Sequence, residues 1–236
     1  MPVAKVLTFY MGLTLVKSSL LTGKITLGLR GDILETVKKV RVIEQEYLYR
    51  GFLSLKRIRL QHTLFEGGWD EEIDRELIDR GDCVAVLLYD PDVDAVVLIE
   101  QFRVGALGHT EKPWLMEIVA GMVESGENPE SVAYRETIEE AGCAIKELRY
   151  ICEYYSSPGA LSERMILFCG RVDSAQVGGV HGIPAEHEDI QTWVMSFEEA
   201  LDLMRQGVIN SATPIIALQW LALNREALQR EWRSAD

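Results

Sequence analysis

The chain has 236 residues, of which 47% are hydrophobic and 26% charged, an ordinary balance for a globular protein with one core and an elaboration. Its formal net charge of −13 argues against a sequence-independent nucleic-acid binder, because no run of Lys or Arg could neutralise phosphates. The four cysteines lack the spacing of a zinc site or a dithiol motif, so reduced, buried thiols are predicted. An anionic substrate would need metal ions or a local arginine cluster.

The first stretch, 1–35, carries few acids and no clear period, and it is interpreted as an atypical extension without an assigned role. Its longest apolar run, Val6 to Val16, is too short to span a bilayer. A clean small-residue cleavage pattern does not follow, which disfavours a secretory signal. We therefore expect a cytoplasmic protein that does not associate with membranes.

Residues 36–80 are predicted to form a small β domain. Between Val40 and Gln61, short apolar runs alternate in part with polar residues, which indicates strands packed on one face. The segment from Trp69 to Arg80 fits a helix or a strand equally well.

Residues 81–236 are predicted to form the main domain. It begins with a hairpin whose β-rich runs, Cys83 to Tyr89 and Ala95 to Phe102, are joined by a turn rich in Asp. A central helix is indicated by Asn128 as its N-cap and Gly142 at its end. The later elements are strands at 148–155, 165–172 and 190–195, a helix opened by the capping box of Ser196 and Glu199, and a helix from Thr213 to about Trp232. Strands before, around and after a central helix favour an α+β or α/β sandwich.

The central helix carries a row of carboxylates. Glu136, Glu139 and Glu140 share one side through three- and four-residue steps, where like charges repel by roughly 0.2–0.5 kcal/mol per pair. A solvated acidic face would account for them on composition alone. A divalent cation site is the alternative, because hard cations take several carboxylate oxygens.

The residues around this row carry a specific pattern. They match the Nudix box, a glycine, a glutamate and a closing R-E-x-x-E-E-x-G, with Gly121, Glu127, Arg135, Glu136, Glu139, Glu140 and Gly142. Seven fixed matches would arise by chance in only about one in 10⁶ such chains. The chain therefore resembles the Nudix hydrolases, and it departs from their pattern at Thr137 and Cys143, where the family prefers a larger aliphatic residue.

The resemblance implies a Nudix-type α/β/α sandwich with a small N-terminal β domain, and a metal site. Mg²⁺ is the expected cofactor, with Mn²⁺ as a substitute. The implied metal ligands are the Ala120 carbonyl and the carboxylates of Glu136, Glu140 and Glu188, with Glu139 as a further ligand or catalytic neighbour. Glu127 and Arg135 are expected to form a structural ion pair.

The resemblance also implies that Glu186 is the catalytic base. It follows the stretch 178–184, whose glycines permit rearrangement. An ordinary solvated acidic loop is the alternative interpretation of 186–189. His181 and His187 are interpreted as incidental.

The substrate is indicated by a second element, the run 156–163, which resembles the S-P-G-x-x-x-E of Nudix enzymes that act on ADP-ribose. In that branch the N-terminal β domain helps to build a homodimer whose two chains line the site. The implied substrate contacts are Phe52, Leu53, Arg75, Arg103, Met122, Ser157, Gly159 and Glu163. An aromatic ring can stack on adenine, and arginines can hold phosphate oxygens, although Leu53 replaces a second aromatic of that branch.

These features together predict hydrolysis of ADP-ribose, and of related nucleoside diphosphate sugars, to AMP and a sugar phosphate. A preference for another sugar nucleotide, such as GDP-mannose, is the first alternative. A module that senses ADP-ribose without cleaving it is the second, and the complete set of box glutamates counts against it.

Overall fold

The computed structural model describes residues 38–233, apart from the side chain of Gln176. The extension predicted for 1–35 lies outside these residues. Residues 39–233 pack as one compact unit. The division into domains at residue 80 therefore stays a prediction.

A three-stranded antiparallel sheet comes first. Its strands, in spatial and chain order, are β1 (Val40–Arg50), β2 (Ser54–His62) and β3 (Ile73–Asp79). The ambiguous segment after Trp69 is thus a strand, in which Ile73 and Leu77 are half-buried while the residues between them are exposed. All of β1 is exposed, and β1 forms one edge of this sheet.

The second sheet has eight strands. They are β4 (Asp82–Asp90), β5 (Ala95–Phe102), β6 (Trp114–Glu117), β7 (Val119–Met122), β8 (Glu147–Tyr155), β9 (Arg164–Arg171), β10 (Gly179–His181) and β11 (Ile190–Ser196). The order is β10-β11-β5-β4-β9-β8, with β6 also paired to β5 and β7 to β4. Strands β4 and β9 are parallel, and the predicted β4–β5 hairpin is confirmed. The short strands β6, β7 and β10 were not predicted.

In the described part of the chain, three α-helices accompany this sheet: α1 (Pro129–Ala141), α2 (Phe197–Arg205) and α3 (Ala212–Arg233). The predicted caps are confirmed. The Asn128 side chain accepts a hydrogen bond from Glu130 N, Gly142 has a φ of 64°, and Ser196 and Glu199 form a capping box. Within the described residues, no helix is both long enough and apolar enough to cross a membrane.

Strand β4 separates two cores. Cys83, Ala85 and Leu87 are buried in the cluster that contains residues of α2 and α3. Val84 and Val86 face the other way, into the cluster that contains residues of α1. Because successive side chains of a strand point to opposite faces, helices cover both sides of the sheet. The predicted α/β/α sandwich is therefore confirmed.

Candidate functional site

Helix α1 approaches strand β7 closely at Gly121. A Cβ at this position would lie 1.9 Å from Oε1 of Glu136, far inside van der Waals contact. Only a glycine therefore leaves room for the Glu136 carboxylate against the strand.

Glu140 is the most buried carboxylate of the box, with 3% of its surface exposed. Its Oε2 accepts a 2.9 Å hydrogen bond from the Ala120 amide. Burial raises its pKa to about 8 against the opposing effect of the Ala120 hydrogen bond, and the charges of Glu136 and Glu188 add to the increase. The site thus holds a carboxylate that gains from a nearby positive charge.

Arg135 supplies a positive charge to Glu136 and Glu139. Its Nη1 lies 2.8 Å from Glu136 Oε1 and 3.0 Å from Glu139 Oε2. The predicted partner, Glu127, is farther away at 3.7 Å, and it accepts a hydrogen bond from Glu124 N. Burial raises the pKa of Glu136, although Arg135 opposes this. The expected ion pair exists, but the guanidinium is shared among three carboxylates.

The loop before β11 adds a fourth carboxylate. The charge of Glu188 raises the pKa values of both Glu136 and Glu140, so it lies near them. Its Oε2 accepts a 3.2 Å hydrogen bond from Ile183 N. Glu186 ends a short 3-10 turn, Pro184–Glu186, and is exposed.

The carboxylates provide the oxygen donors that a hard divalent cation prefers. Across residues 38–233, no three His, Cys, Asp or Glu side chains are already gathered as a cation site. Glu136 and Glu139 are instead turned to Arg135. The fit rests on the donors: oxygen ligands are those that Mg²⁺ prefers, and burial has already raised the pKa values of Glu136 and Glu140.

Two predicted substrate contacts lie at this end of the eight-stranded sheet. Arg103 follows β5, and its charge lowers the pKa of Glu140, against the effect of burial. Its Nε donates a 2.6 Å hydrogen bond to Glu117 of β6, a partner that no sequence motif indicated. Met122 ends β7 with 37% of its surface exposed.

The Ser-Pro-Gly loop docks on the small sheet. The Ser157 carbonyl accepts hydrogen bonds from Ala160 N and Leu161 N, which closes the turn, and Gly159 faces open space. Ile78 N donates to Ala160 O at 2.8 Å, and Ser162 N donates to Ile78 O at 2.9 Å. This loop therefore continues the pairing of β3 beyond the sheet.

Glu163, predicted to contact substrate, is buried among protein partners. Its Oε1 accepts a 2.6 Å hydrogen bond from Ser156 Oγ, and its Oε2 lies 3.0 Å from Arg80 Nε. The thiol of Cys83 is 3.7 Å from the same Oε2. Burial raises the pKa of that thiol to about 11, and the charge of Glu163 adds to this effect. These contacts tie the loop to β3 and β4.

The remaining predicted contacts belong to the small sheet. Phe52, in the turn between β1 and β2, is 86% exposed, and Leu53 beside it is half-buried. Arg75 lies on β3 and donates a 2.9 Å hydrogen bond to the Asp74 carbonyl. Thus the chain places Phe52, Leu53 and Arg75 on a different sheet from the box carboxylates.

Comparison with known proteins shows the family of this chain. A NUDIX domain model matches residues 79–217. The chain is 46% identical over 197 residues to the ADP-ribose pyrophosphatase of Haemophilus influenzae, which covers 82% of this chain and 91% of that protein. It is also 46% identical over 193 residues to that of Escherichia coli K12, covering 82% and 92%.

A more distant relative and a solved structure complete the comparison. The GDP-mannose pyrophosphatase of Cronobacter sakazakii is 36% identical over 185 residues, which cover 78% of this chain and 95% of that protein. A crystal structure described as an ADP compounds hydrolase superposes with a TM-score of 0.62 at 19% identity, covering 82% of this chain and 96% of that one. At this identity the structure supports the fold alone.

Proposed function

Because this chain belongs to the NUDIX domain family, we propose that it hydrolyses the pyrophosphate of ADP-ribose to AMP and ribose 5-phosphate. The observation that carries the chemistry is the contact of Glu136 and Glu140 with strand β7, together with the charge of Glu188, which raises the pKa values of both. The choice of ADP-ribose rests on 46% identity to the two ADP-ribose pyrophosphatases, against 36% to the GDP-mannose enzyme.

The cation in this proposal is Mg²⁺, with Mn²⁺ as a substitute. The carboxylates of Glu136, Glu140 and Glu188, with the Ala120 carbonyl, would hold it. When bound, it supplies neutralisation of the pyrophosphate charge and acidifies a coordinated water. Arg135 would then give up its contact with Glu136 in part, because one carboxylate cannot serve both cations fully.

Glu186 is proposed as the base. An exposed carboxylate at the end of a short turn can reach a water without first leaving internal partners. The water oxygen forms a bond to one phosphorus, the bridging P–O bond breaks, and the other phosphate keeps the bridging oxygen. One proton of the water passes to Glu186. Glu139 is proposed to assist as a neighbouring carboxylate.

Arg103 is proposed to hold a phosphate. Its guanidinium is 38% exposed and is bound through Nε to Glu117, which leaves its other nitrogens for phosphate oxygens. Met122, Ser157 and Gly159 are proposed to line the ribose side of the site. Glu163 is proposed to support the same loop from beneath.

The adenine contacts Phe52 and Leu53, with Arg75, are proposed to act across a homodimer. The apolar residues Val40, Val42 and Tyr49 of β1 are 57–66% exposed, and Phe52 is 86% exposed. A second copy of the chain would cover this edge and bring the small sheet of one protomer to the carboxylates of its partner. Sedimentation should give twice the mass of 26.6 kDa, and a monomer at micromolar concentration would contradict the dimer. A cytoplasmic location stays a prediction.

The test is an assay of kcat/KM with Mg²⁺ on ADP-ribose, GDP-mannose and ADP-glucose. A clear preference for ADP-ribose is expected. A preference for GDP-mannose would keep the carboxylate chemistry and overturn the substrate. Binding of ADP-ribose without turnover of any compound would indicate the sensing module.

A further inference from the structure

The loop that carries Glu186 and Glu188 is attached to the end of α1 by its backbone. The Gly182 amide donates a 3.0 Å hydrogen bond to the carbonyl of Glu139. The last carbonyls of a helix lack partners within it, so this bond satisfies one of them from outside. The end of the box helix and the loop are thus in direct contact.

The side chain of His181 lies over the glycine that ends the box. A Cβ on Gly142 would lie 2.3 Å from Cε1 and 2.8 Å from Nδ1 of the imidazole. The ring is held from its other side, because Nε2 donates a 3.0 Å hydrogen bond to the Gly178 carbonyl. Gly142 therefore lacks a side chain for two reasons: its φ of 64° and the ring above it.

From this contact the loop leads directly to the two glutamates. A Cβ on Gly182 would lie 2.7 Å from the Glu188 Cβ, so these residues pack together. Ile183 N donates to the Glu188 carboxylate, and the Ile183 carbonyl accepts from Glu186 N at 2.9 Å and from Glu188 N at 3.3 Å. The positions of both glutamates are therefore fixed relative to residues 181–183.

We propose that His181 is a positioning residue, whose ring, seated on Gly142, places the Glu186–Glu188 turn at the end of the box helix. It acts through the two glutamates and does not touch the substrate. The effect on turnover rests on the proposed function, whereas the packing of His181 on Gly142, which holds the loop with Glu186 and Glu188, does not. The closing experiment separates the two.

The first variant adds a side chain in the space that the His181 ring occupies above Gly142. Gly142→Asn keeps a residue that tolerates a left-handed backbone but adds a Cβ where the ring lies. Gly207→Asn is its matched control, because Gly207 also follows a helix, has a φ of 75°, and would meet nothing within 4 Å. We expect kcat on ADP-ribose to fall at least about tenfold at position 142 and less than about twofold at position 207. Equal effects would overturn the steric role of the ring.

The second variant removes the ring. His181→Ala should lower kcat by about tenfold and leave KM within about twofold, since the substrate contacts lie elsewhere. Because the added Cβ of Gly142→Asn acts by displacing this ring, the double variant should be no slower than His181→Ala alone. Multiplied effects, or an unchanged kcat in His181→Ala, would overturn the proposal.

The closing experiment needs neither metal nor substrate. Amide hydrogen exchange of a peptide covering 178–189 should speed up in His181→Ala and stay unchanged in His187→Asn, a substitution at the exposed histidine of the same loop. If exchange speeds up as expected but the wild type hydrolyses no ADP-ribose, the packing of His181 on Gly142 is supported and the proposed function fails. If exchange is unchanged in His181→Ala, the positioning role of His181 fails, whatever the activity.

Discussion

The Ala120 amide donates a 2.9 Å hydrogen bond to the buried carboxylate of Glu140, and this bond joins the box helix to strand β7. Ala120 is paired with Ala85 of β4, so the register of β7 on β4 determines the position of Glu140. The next residue, Gly121, then lies directly against Glu136. Two box carboxylates are therefore located by two consecutive residues of one short strand.

Glu140→Gln should abolish turnover while preserving the fold. The amide keeps an oxygen for the Ala120 hydrogen bond but cannot supply a charged ligand, so kcat should fall by at least about 100-fold. Mg²⁺ should raise the melting temperature of the wild type and not that of the variant. Glu130→Gln, in the exposed first turn of the same helix, is the control and should behave as the wild type in both measurements. Full activity in Glu140→Gln would remove the metal assignment.

Gly121→Ala should act through Glu136. The new methyl group would lie 1.9 Å from the carboxylate oxygen, so Glu136 or the strand must move. We expect at least about a tenfold loss of kcat, together with weaker stabilisation by Mg²⁺ in thermal unfolding. Gly105→Ala is a matched control, because a Cβ there meets nothing within 4 Å and the backbone φ needs no glycine. An equally active Gly121→Ala variant would show that Glu136 need not lie against β7.

Asp90→Asn should make the free energy of unfolding depend less on pH in the acidic range. Burial alone would raise the pKa of Asp90, but hydrogen bonds from the Ser174 hydroxyl and amide, at 2.7 and 2.8 Å, and from Asp92 N outweigh it and hold the pKa below its usual value. A depressed folded-state pKa adds stability above the unfolded value of 3.8, and this stability is lost as the pH falls through the folded value.

The expected cost of Asp90→Asn at pH 7 is about 1–3 kcal/mol in the free energy of unfolding, shrinking as the pH falls below about 4. Denaturant unfolding across that range measures it. Asp92→Asn, whose side chain is 57% exposed, should cost much less at every pH. A difference between Asp90→Asn and the wild type that persists unchanged at pH 3 would contradict the assignment.

The parts of the fold that the sequence predicted are those with local signals. Asn128 and Pro129 at the start of α1 and Gly142 just after its end are local signals, so the limits of this helix could be predicted. Strands β6 and β7 have only four residues each and owe their existence to pairing with β5 and β4. Such short strands carry no periodic pattern of their own.

In the candidate site, too, residues with a local motif could be predicted, and contacts between distant residues could not. The box glutamates follow from a fixed spacing, whereas the partners of Glu163 come from distant parts of the chain: Cys83 lies 80 residues away in sequence. Likewise, the hydrogen bond between Arg103 and Glu117 was not predicted, and neither was the packing of His181 against Gly142. Without the topology of the sheet, no motif brings these residues together.

Glu163→Gln separates a bracing role from a substrate contact. The glutamine retains an acceptor for Ser156 but removes the negative charge that faces Arg80, in a position with only 9% of its surface exposed. We expect the free energy of unfolding to fall by about 1–2 kcal/mol, because the charge-assisted contact with Arg80, itself 38% exposed, is replaced by a weaker neutral one at a buried position. Glu153→Gln, whose 52% exposed side chain pairs with Arg164, should change it by less than about 1 kcal/mol.

Kinetics complete this test. If Glu163 mainly braces the Ser-Pro-Gly loop, kcat and KM for ADP-ribose should each change by less than about tenfold at a temperature where the variant is folded. A KM raised far beyond that, with unfolding unchanged, would instead put the carboxylate against the substrate. Since Ser156 and Arg80 already occupy both carboxylate oxygens of Glu163, we expect the loss to appear in stability.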